Sequence, residues 1–164
     1  VRLKNLSKKI IRRIDIYVLR VRSKQEKNVL VIKMSEINDK LVNACERGDL
    51  DEVEFLIEEG ADLHAYCDDP LRYASYYGHL NIVKFLIGKG VNVHSQDNYA
   101  LRYASRNGHL ELVKYLTKQG ADIHSYGDSS LRWAISNGHL EVVKYFIKDL
   151  NKQEKMYWLL KCLK

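Results

Sequence analysis

The chain has 164 residues, 46% hydrophobic and 29% charged, with one proline, Pro70. That balance fits one domain or one short repeat array, and it excludes a collagen, a wholly disordered chain, a Pro-rich linker and a polytopic membrane protein. The net charge of +6 is unevenly placed: residues 1–33 hold 11 basic and two acidic residues (+9), and residues 34–164 hold 16 basic and 19 acidic residues (−3), so the high pI does not mean that the whole chain binds nucleic acid.

The basic N-terminal segment, 1–33, comes first. Leu3, Leu6, Ile10, Ile14, Tyr17, Val18 and Val21 recur three or four residues apart among Lys4, Lys8, Lys9, Arg12, Arg13 and Arg20. This spacing predicts a basic amphipathic helix. Its apolar stripe suits a cap over the first unit of an array. Its charge suits an acidic membrane surface or a nucleic acid, and a transit-like address or translated upstream sequence are further readings. The run is too charged for a signal-peptide core or a membrane span. Val29-Leu30-Val31-Ile32 reads either as part of the cap or as a strand. The first residue is Val1 rather than Met, which leaves room for an earlier start.

From residue 34 to 157 the chain repeats every thirty residues. Leu41, Leu71, Leu101 and Leu131 are in register, as are Ala44, Ala74, Ala104 and Ala134. Gly48, Gly78, Gly108 and Gly138 follow, then Leu50, Leu80, Leu110 and Leu140, then Val53, Val83, Val113 and Val143. The units span 38–67, 68–97, 98–127 and 128–157. Each reads as two helices. Asn38, Asp68, Asn98 and Asp128 are favoured N-cap residues for the first. The repeat glycine ends that helix in a left-handed conformation. The second helix places Leu110, Val113 and Leu116 on a core face, with Glu111 early and Lys114 and Lys118 late to suit its dipole. Gly60, Gly90 and Gly120 close the second helices. The small alanine lets neighbouring units stack closely, and the stack shares one core. Beyond the repeats, Met156, Tyr157, Trp158, Leu160 and Leu163 suit a closing helix that ends over 158–164.

Gly-His-Leu-Glu-Val-Val-Lys-Tyr at 138–145 and Gly-Ala-Asp-Ile-His at 120–124 resemble ankyrin repeats, over about 36–150. The Leu-Arg-Tyr-Ala-Ser version at 71–75 and 101–105, on a thirty-residue period, is similar to the ankyrin proteins of giant DNA viruses of the mimivirus type. The resemblance implies a mainly α solenoid of about four helix–turn–helix units with a C-terminal helical cap. It also implies a non-catalytic protein–protein interaction module or adaptor. A monomer is expected, intracellular and in the host cytoplasm if viral, with a host protein among the candidate partners. Two departures stand out. The usual unit has about 33 residues and a Thr-Pro-Leu-His start. Here the starts are Asp69-Pro70-Leu71-Arg72, Tyr99-Ala100-Leu101-Arg102 and Ser129-Ser130-Leu131-Arg132. The fingers between units are therefore expected to be short. The family's Thr–His hydrogen bonds cannot form, and Arg72, Arg102 and Arg132 are candidates to pair with Asp68 or Asp128 instead.

The resemblance also locates a binding face. In the family, the two residues before the repeat glycine vary and face the binding groove. Here they are Tyr76-Tyr77, Arg106-Asn107 and Ser136-Asn137. Tyr73, Tyr103 and Trp133 share another repeat position, where they are either half-buried packing or part of the same face. Tyr and Arg are enriched in interface hot spots. These nine residues form the candidate partner-binding set.

Other chemistry is weaker. The histidines at 64, 79, 94, 109, 124 and 139 fall fifteen apart, but equivalent positions of stacked units spread along the array, whereas ligands of one zinc must converge within about 2.1 Å of it. A structural role is the expectation, and no cofactor is expected. Asp68-Asp69 is a carboxylate pair best read as capping, and Ser75 and Ser105 have no evident base partner. Phosphate-loop, metalloprotease and nucleophile-elbow motifs are missing from the sequence, so no enzyme is expected. Cys45, Cys67 and Cys162 form neither a C-x-x-C nor an even set, which suits a reducing compartment.

Overall fold

A computed structural model describes residues 24–148, together with residues 153, 156, 157 and 160. Among the described residues there are eight helices and no strand: α1 (Lys24–Arg47), α2 (Leu50–Glu58), α3 (Ala65–Tyr77), α4 (Leu80–Gly88), α5 (Ser95–Arg106), α6 (Leu110–Lys118), α7 (Ser125–Ser136) and α8 (Leu140–Ile147). The second helices begin at 50, 80, 110 and 140, so the thirty-residue period is an exact structural step. The odd-numbered helices stack in one row, each against the next, and carry most of the contact between units; the even-numbered helices form a looser second row.

The alanines explain the tight row. Ala44, Ala74, Ala104 and Ala134 are all fully buried, and the absence of a longer side chain there lets consecutive first helices approach. Leu41, Leu71, Leu101 and Leu131 fill the space beside them, at 6% exposure or less. Val53, Val83 and Val113 are sealed beneath, whereas Val143, at the far end of the array, is half-buried. In the second helices the core positions are Ile82, Leu112 and Val142, then the valine, then Leu56, Leu86, Leu116 and Phe146. Leu110, expected on the core face, is half-buried against the core, as are Leu50 and Leu80; Leu140, the equivalent residue of the last unit, is 66% exposed.

The first unit also departs from the sequence reading. No helix starts at Asn38: α1 runs unbroken from Lys24 through that position. Val29-Leu30-Val31-Ile32 is helix rather than strand, and Val29, Val31 and Ile32 are at least half exposed. The expected amphipathic helix over residues 3–21 lies outside the described residues. At the other end, residues 153, 156, 157 and 160 are helical, with Met156, Tyr157 and Leu160 more than half exposed; the remainder of the expected closing helix lies outside the described residues.

The links between units are single left-handed turns. Residues 66–68, 96–98 and 126–128 all have φ between 51° and 67°. Right-handed helix resumes only after Asp68, Asn98 and Asp128, so these residues precede a helix as expected, yet they do not cap its first turn. Their side chains turn back instead. Asp68 and Asp128 Oδ1 lie 2.6 Å from Nδ1 of His64 and His124, four residues earlier. Asn98 Oδ1 accepts from the Asp122 amide at 2.9 Å, one unit on, and Asn38 Oδ1 accepts likewise from Asp62 at 2.8 Å. Consecutive turns are also laced together: Ser95 donates to Asp68, Gln96 to the Cys67 carbonyl and Ser125 to the Asp97 carbonyl. Apart from Gly127, each of these left-handed residues costs about 1–2 kcal/mol, and these hydrogen bonds offset that cost. A side-chain cap that the sequence reading missed is Asp49, which accepts from the Glu52 amide at 3.0 Å at the start of α2.

Candidate functional site

The site is built by the first-helix row. Right-handed helix restarts one residue after each left-handed turn, which places positions 73, 103 and 133 at the same height on successive helices. Tyr103 on α5 lies 5.7 Å from Trp133 on α7, ring centre to ring centre, with the planes tilted by 55°. Tyr76 on α3 lies 5.4 Å from Tyr103. Tyr77 meets Tyr76 edge-on at 4.9 Å. Tyr99 stacks on Tyr103 at 4.6 Å, and their hydroxyls are 3.1 Å apart. An aromatic ladder therefore crosses three units. Such tilted pairs are favourable aromatic geometries.

Of the nine residues singled out in the sequence, the ladder unites Tyr76, Tyr77, Tyr103 and Trp133, and Arg106 joins them with its guanidinium 5.5 Å above the Trp133 ring. Tyr76 is 37% and Tyr77 43% exposed, Arg106 is exposed, and Tyr103 and Trp133 are half-buried. Tyr73 is half-buried with Arg72 4.5 Å above its ring. Asn107 ties units together, donating to the Tyr76 carbonyl at 2.9 Å. Asn137 donates to the Trp133 carbonyl four residues earlier, and Ser136 is exposed.

The hydroxyls of Tyr77, Tyr99 and Tyr103 are held by hydrogen bonds. Tyr77 donates to Glu46 Oε1 at 2.8 Å, and that hydrogen bond, helped by the nearby charge, raises the tyrosine's pKa. Tyr103 is raised chiefly by burial and then by its hydrogen bond with Tyr99. Both rings therefore stay neutral near pH 7 and present an apolar, hydrogen-bonding surface rather than charge.

The three repeat arginines differ, and the pairing expected with Asp68 or Asp128 is corrected. Arg72 pairs with Asp69, its Nε and Nη2 each 2.7 Å from Oδ1. Arg132 is exposed and makes no ion pair among the described residues. Arg102 is 7% exposed and sits among aromatic rings: Tyr126 at 4.3 Å, Tyr99 at 4.9 Å and Trp133 at 5.1 Å. Tyr99, Tyr126 and Arg102 were absent from the sequence-derived set. The one available signal was the replacement of Asp69 by Tyr99 at the equivalent position, which removes the arginine's acid.

The histidines serve the stacking. His79, His109 and His139 donate through Nε2 to the carbonyls of Glu46, Tyr76 and Arg106 in the preceding unit, at 2.8–2.9 Å. Their rings lie against Gly48, Gly78 and Gly108; a Cβ at Gly78 would stand 2.5 Å from His109 Nδ1. His64, His94 and His124 belong to the links instead. No group of three or more metal-ligating side chains converges among the described residues. No helix among them is long and apolar enough to cross a membrane. Of the two serines weighed earlier, Ser105 donates to the Leu101 carbonyl at 2.7 Å, while the Ser75 hydroxyl is buried without a hydrogen-bond partner.

The family model for ankyrin repeats (3 copies) matches residues 23–97 and, again, residues 90–156. No curated protein matches the chain.

Proposed function

The chain belongs to the ankyrin-repeat family, whose members are generally protein–protein interaction modules, and from that premise we propose that it is a non-catalytic binding module whose docking surface is the aromatic ladder of the first-helix row. The observation that carries this is the continuity of Tyr77, Tyr76, Tyr103, Trp133 and Arg106 across three units, on side chains that are exposed or half-buried yet held by hydrogen bonds and ring contacts. Such pre-ordered Tyr, Trp and Arg side chains lose little conformational entropy on binding. Asn107, Ser136 and Asn137 form the polar rim of the same surface in this reading, and Tyr73 its buried edge. The left-handed links are too short to reach far, so the helices dominate the contact.

Within this reading the module acts as a monomeric intracellular adaptor whose partner is another protein. The thirty-residue period and the Leu-Arg-Tyr-Ala-Ser signature support a place among the giant-virus repeat proteins, and hence a host partner, on sequence resemblance alone. A second reading, contact with an acidic membrane or nucleic acid, draws on the +9 charge of residues 1–33.

Affinity capture from nuclease-treated cell lysate, read by mass spectrometry, separates them. The wild-type chain is run beside Tyr76→Ala/Tyr77→Ala/Arg106→Ala and beside a chain in which Lys4, Lys8, Lys9, Arg12 and Arg13 are glutamines. A protein held by the wild type and by the neutralised head, but lost from the triple variant, is the expected result. Retention by the triple variant moves the docking surface elsewhere; loss on neutralising the head alone transfers the function to the basic segment.

A further inference from the structure

Resting on that reading, we propose that the partner segment is acidic and that the guanidinium of Arg102 receives one of its carboxylates.

One repeat position holds an arginine in three units. Arg72 has its own acid three residues back, Asp69, on both Nε and Nη2. The equivalent residues are Tyr99 and Ser129, so Arg102 and Arg132 have lost that partner. For Arg132 the loss is harmless, because its side chain is in water. Arg102 is different. It is 7% exposed, its Nε has neither solvent nor a hydrogen-bond partner, and it forms no ion pair among the described residues. Its Nη atoms, which make no hydrogen bond among the described residues, are not sealed in this way.

A guanidinium carries five N–H donors, and a buried charge without a counter-charge is costly. The rings of Tyr99, Tyr126 and Trp133 give part of the compensation, since a cation over an aromatic face is attracted by its quadrupole. They satisfy none of the donors. What they do is hold the planar fork in one place, ready for two parallel hydrogen bonds to a carboxylate. Arg106, one turn on, lies over the same Trp133 ring and is also unpaired among the described residues.

Arg102 pairs with no acid among the described residues, and four acids of the first-helix row and its turns are engaged elsewhere: Asp69 with Arg72, Asp68 with His64 and Ser95, Asp128 with His124, and Glu46 with the Tyr77 hydroxyl. The counter-charge of Arg102 is assigned to another molecule. An acidic protein segment fits better than a nucleic acid. A nucleic-acid backbone needs a run of cations along its track, and the excess basic charge lies in residues 1–33 while the repeats in residues 34–164 carry −3; a segment with one acid beside an apolar anchor needs only the Arg102 fork. The ladder's rings are tilted by 55° and 59° between units and present no row of parallel faces for bases, and Trp133 is already flanked by two guanidinium groups.

A random dodecapeptide library displayed on phage, selected on the full chain, tests this. Enriched peptides are expected to share an Asp or Glu at one position beside an apolar anchor. Changing that acid to its amide weakens binding by at least about thirtyfold, the size expected when one member of a desolvated charge pair is removed. Arg102→Met weakens the acidic peptide equally, and the amide peptide binds wild type and Arg102→Met alike, while Arg132→Gln leaves every affinity unchanged. Circular dichroism establishes that Arg102→Met is folded; Arg102→Lys, which keeps the charge and loses the fork, serves in its place if it is not. Peptides with no shared acid, or an acid whose removal costs as much in the Arg102 variant as in the wild type, overturn the assignment. If those peptides still require Tyr76 and Tyr77, the protein-binding surface stands without the acidic partner. If they do not, or if no peptide is enriched, both fall. Arg102-dependent binding of an oligouridine at roughly 0.15 M salt overturns the assignment in favour of a nucleic acid.

Discussion

Leu101 lies at the centre of the array, fully buried on α5 with α3 on one side and α7 on the other. Leu101→Ala deletes the equivalent of three methylenes, which at about 0.8 kcal/mol each is roughly 2.4 kcal/mol of lost burial. Ala104 already brings the first helices close together, so the void cannot collapse far. A residual cavity on the order of 50 Å³, at about 24 cal/mol per Å³, adds roughly 1.2 kcal/mol. The sum is about 3.6 kcal/mol. Leu140→Ala is the internal control: it is the same chemical change at a side chain that is 66% exposed, and it should cost below about 0.5 kcal/mol. Urea titration followed by circular dichroism at 222 nm measures both. A loss below about 1 kcal/mol for Leu101→Ala, or equal losses for the two variants, would refute the claim that the first-helix row carries the core.

Two further predictions come from the backbone and the thiols. Gly78→Ala places an L-residue at φ 82° with its Cβ against His109, and should cost more than about 2 kcal/mol in the same titration; Gly127→Ala, at φ 62° with nothing within 4 Å, carries only the left-handed strain and should cost about 1–2 kcal/mol. Burial pushes the Cys45 thiol up from 9.0 to about 12, so thiol alkylation at pH 8 followed by peptide mapping should mark exposed Cys67 and spare Cys45 until denaturant is added. The same shift sets a pH dependence. Above pH 9.0 the unfolded chain releases this proton and the folded chain keeps it, so the stability present below pH 9.0 is lost as pH rises through about 12. Relative to Cys45→Ala, the wild type should therefore lose stability over that window, and parallel profiles for the two would contradict the burial.

Much of this architecture could be read from residue order because its requirements are local. A leucine and an alanine three apart share one helix face wherever they occur, and a glycine that must adopt positive φ cannot be replaced without strain, so both recur at fixed intervals. Tyr76, Tyr77 and Arg106 are singled out by what the family resemblance implies for the two residues before the repeat glycine, together with their change between units while the core letters stay fixed. Local periodicity failed where the requirement was met by another unit. Asn38 has a capping residue's chemistry, but α1 runs straight through it, and its side chain serves the Asp62 amide twenty-four residues on, as Asn98 serves Asp122 from a left-handed turn. Asp68 and Asp128 were read as caps, yet in left-handed backbone their carboxylates point at His64 and His124. The regular histidines looked alike until stacking gave three of them a carbonyl thirty-three residues away. Arg102 is the sharpest case. Its sequence neighbours are those of Arg72 with one acid changed, and its surroundings come from α7 and the turn before it as much as from its own helix. The order of residues determined the repeat and its core. Only the stacking of units decided which polar groups were satisfied and which were left for a partner, since hydrogen-bond and charge partners are set by distances in space that local periodicity does not encode.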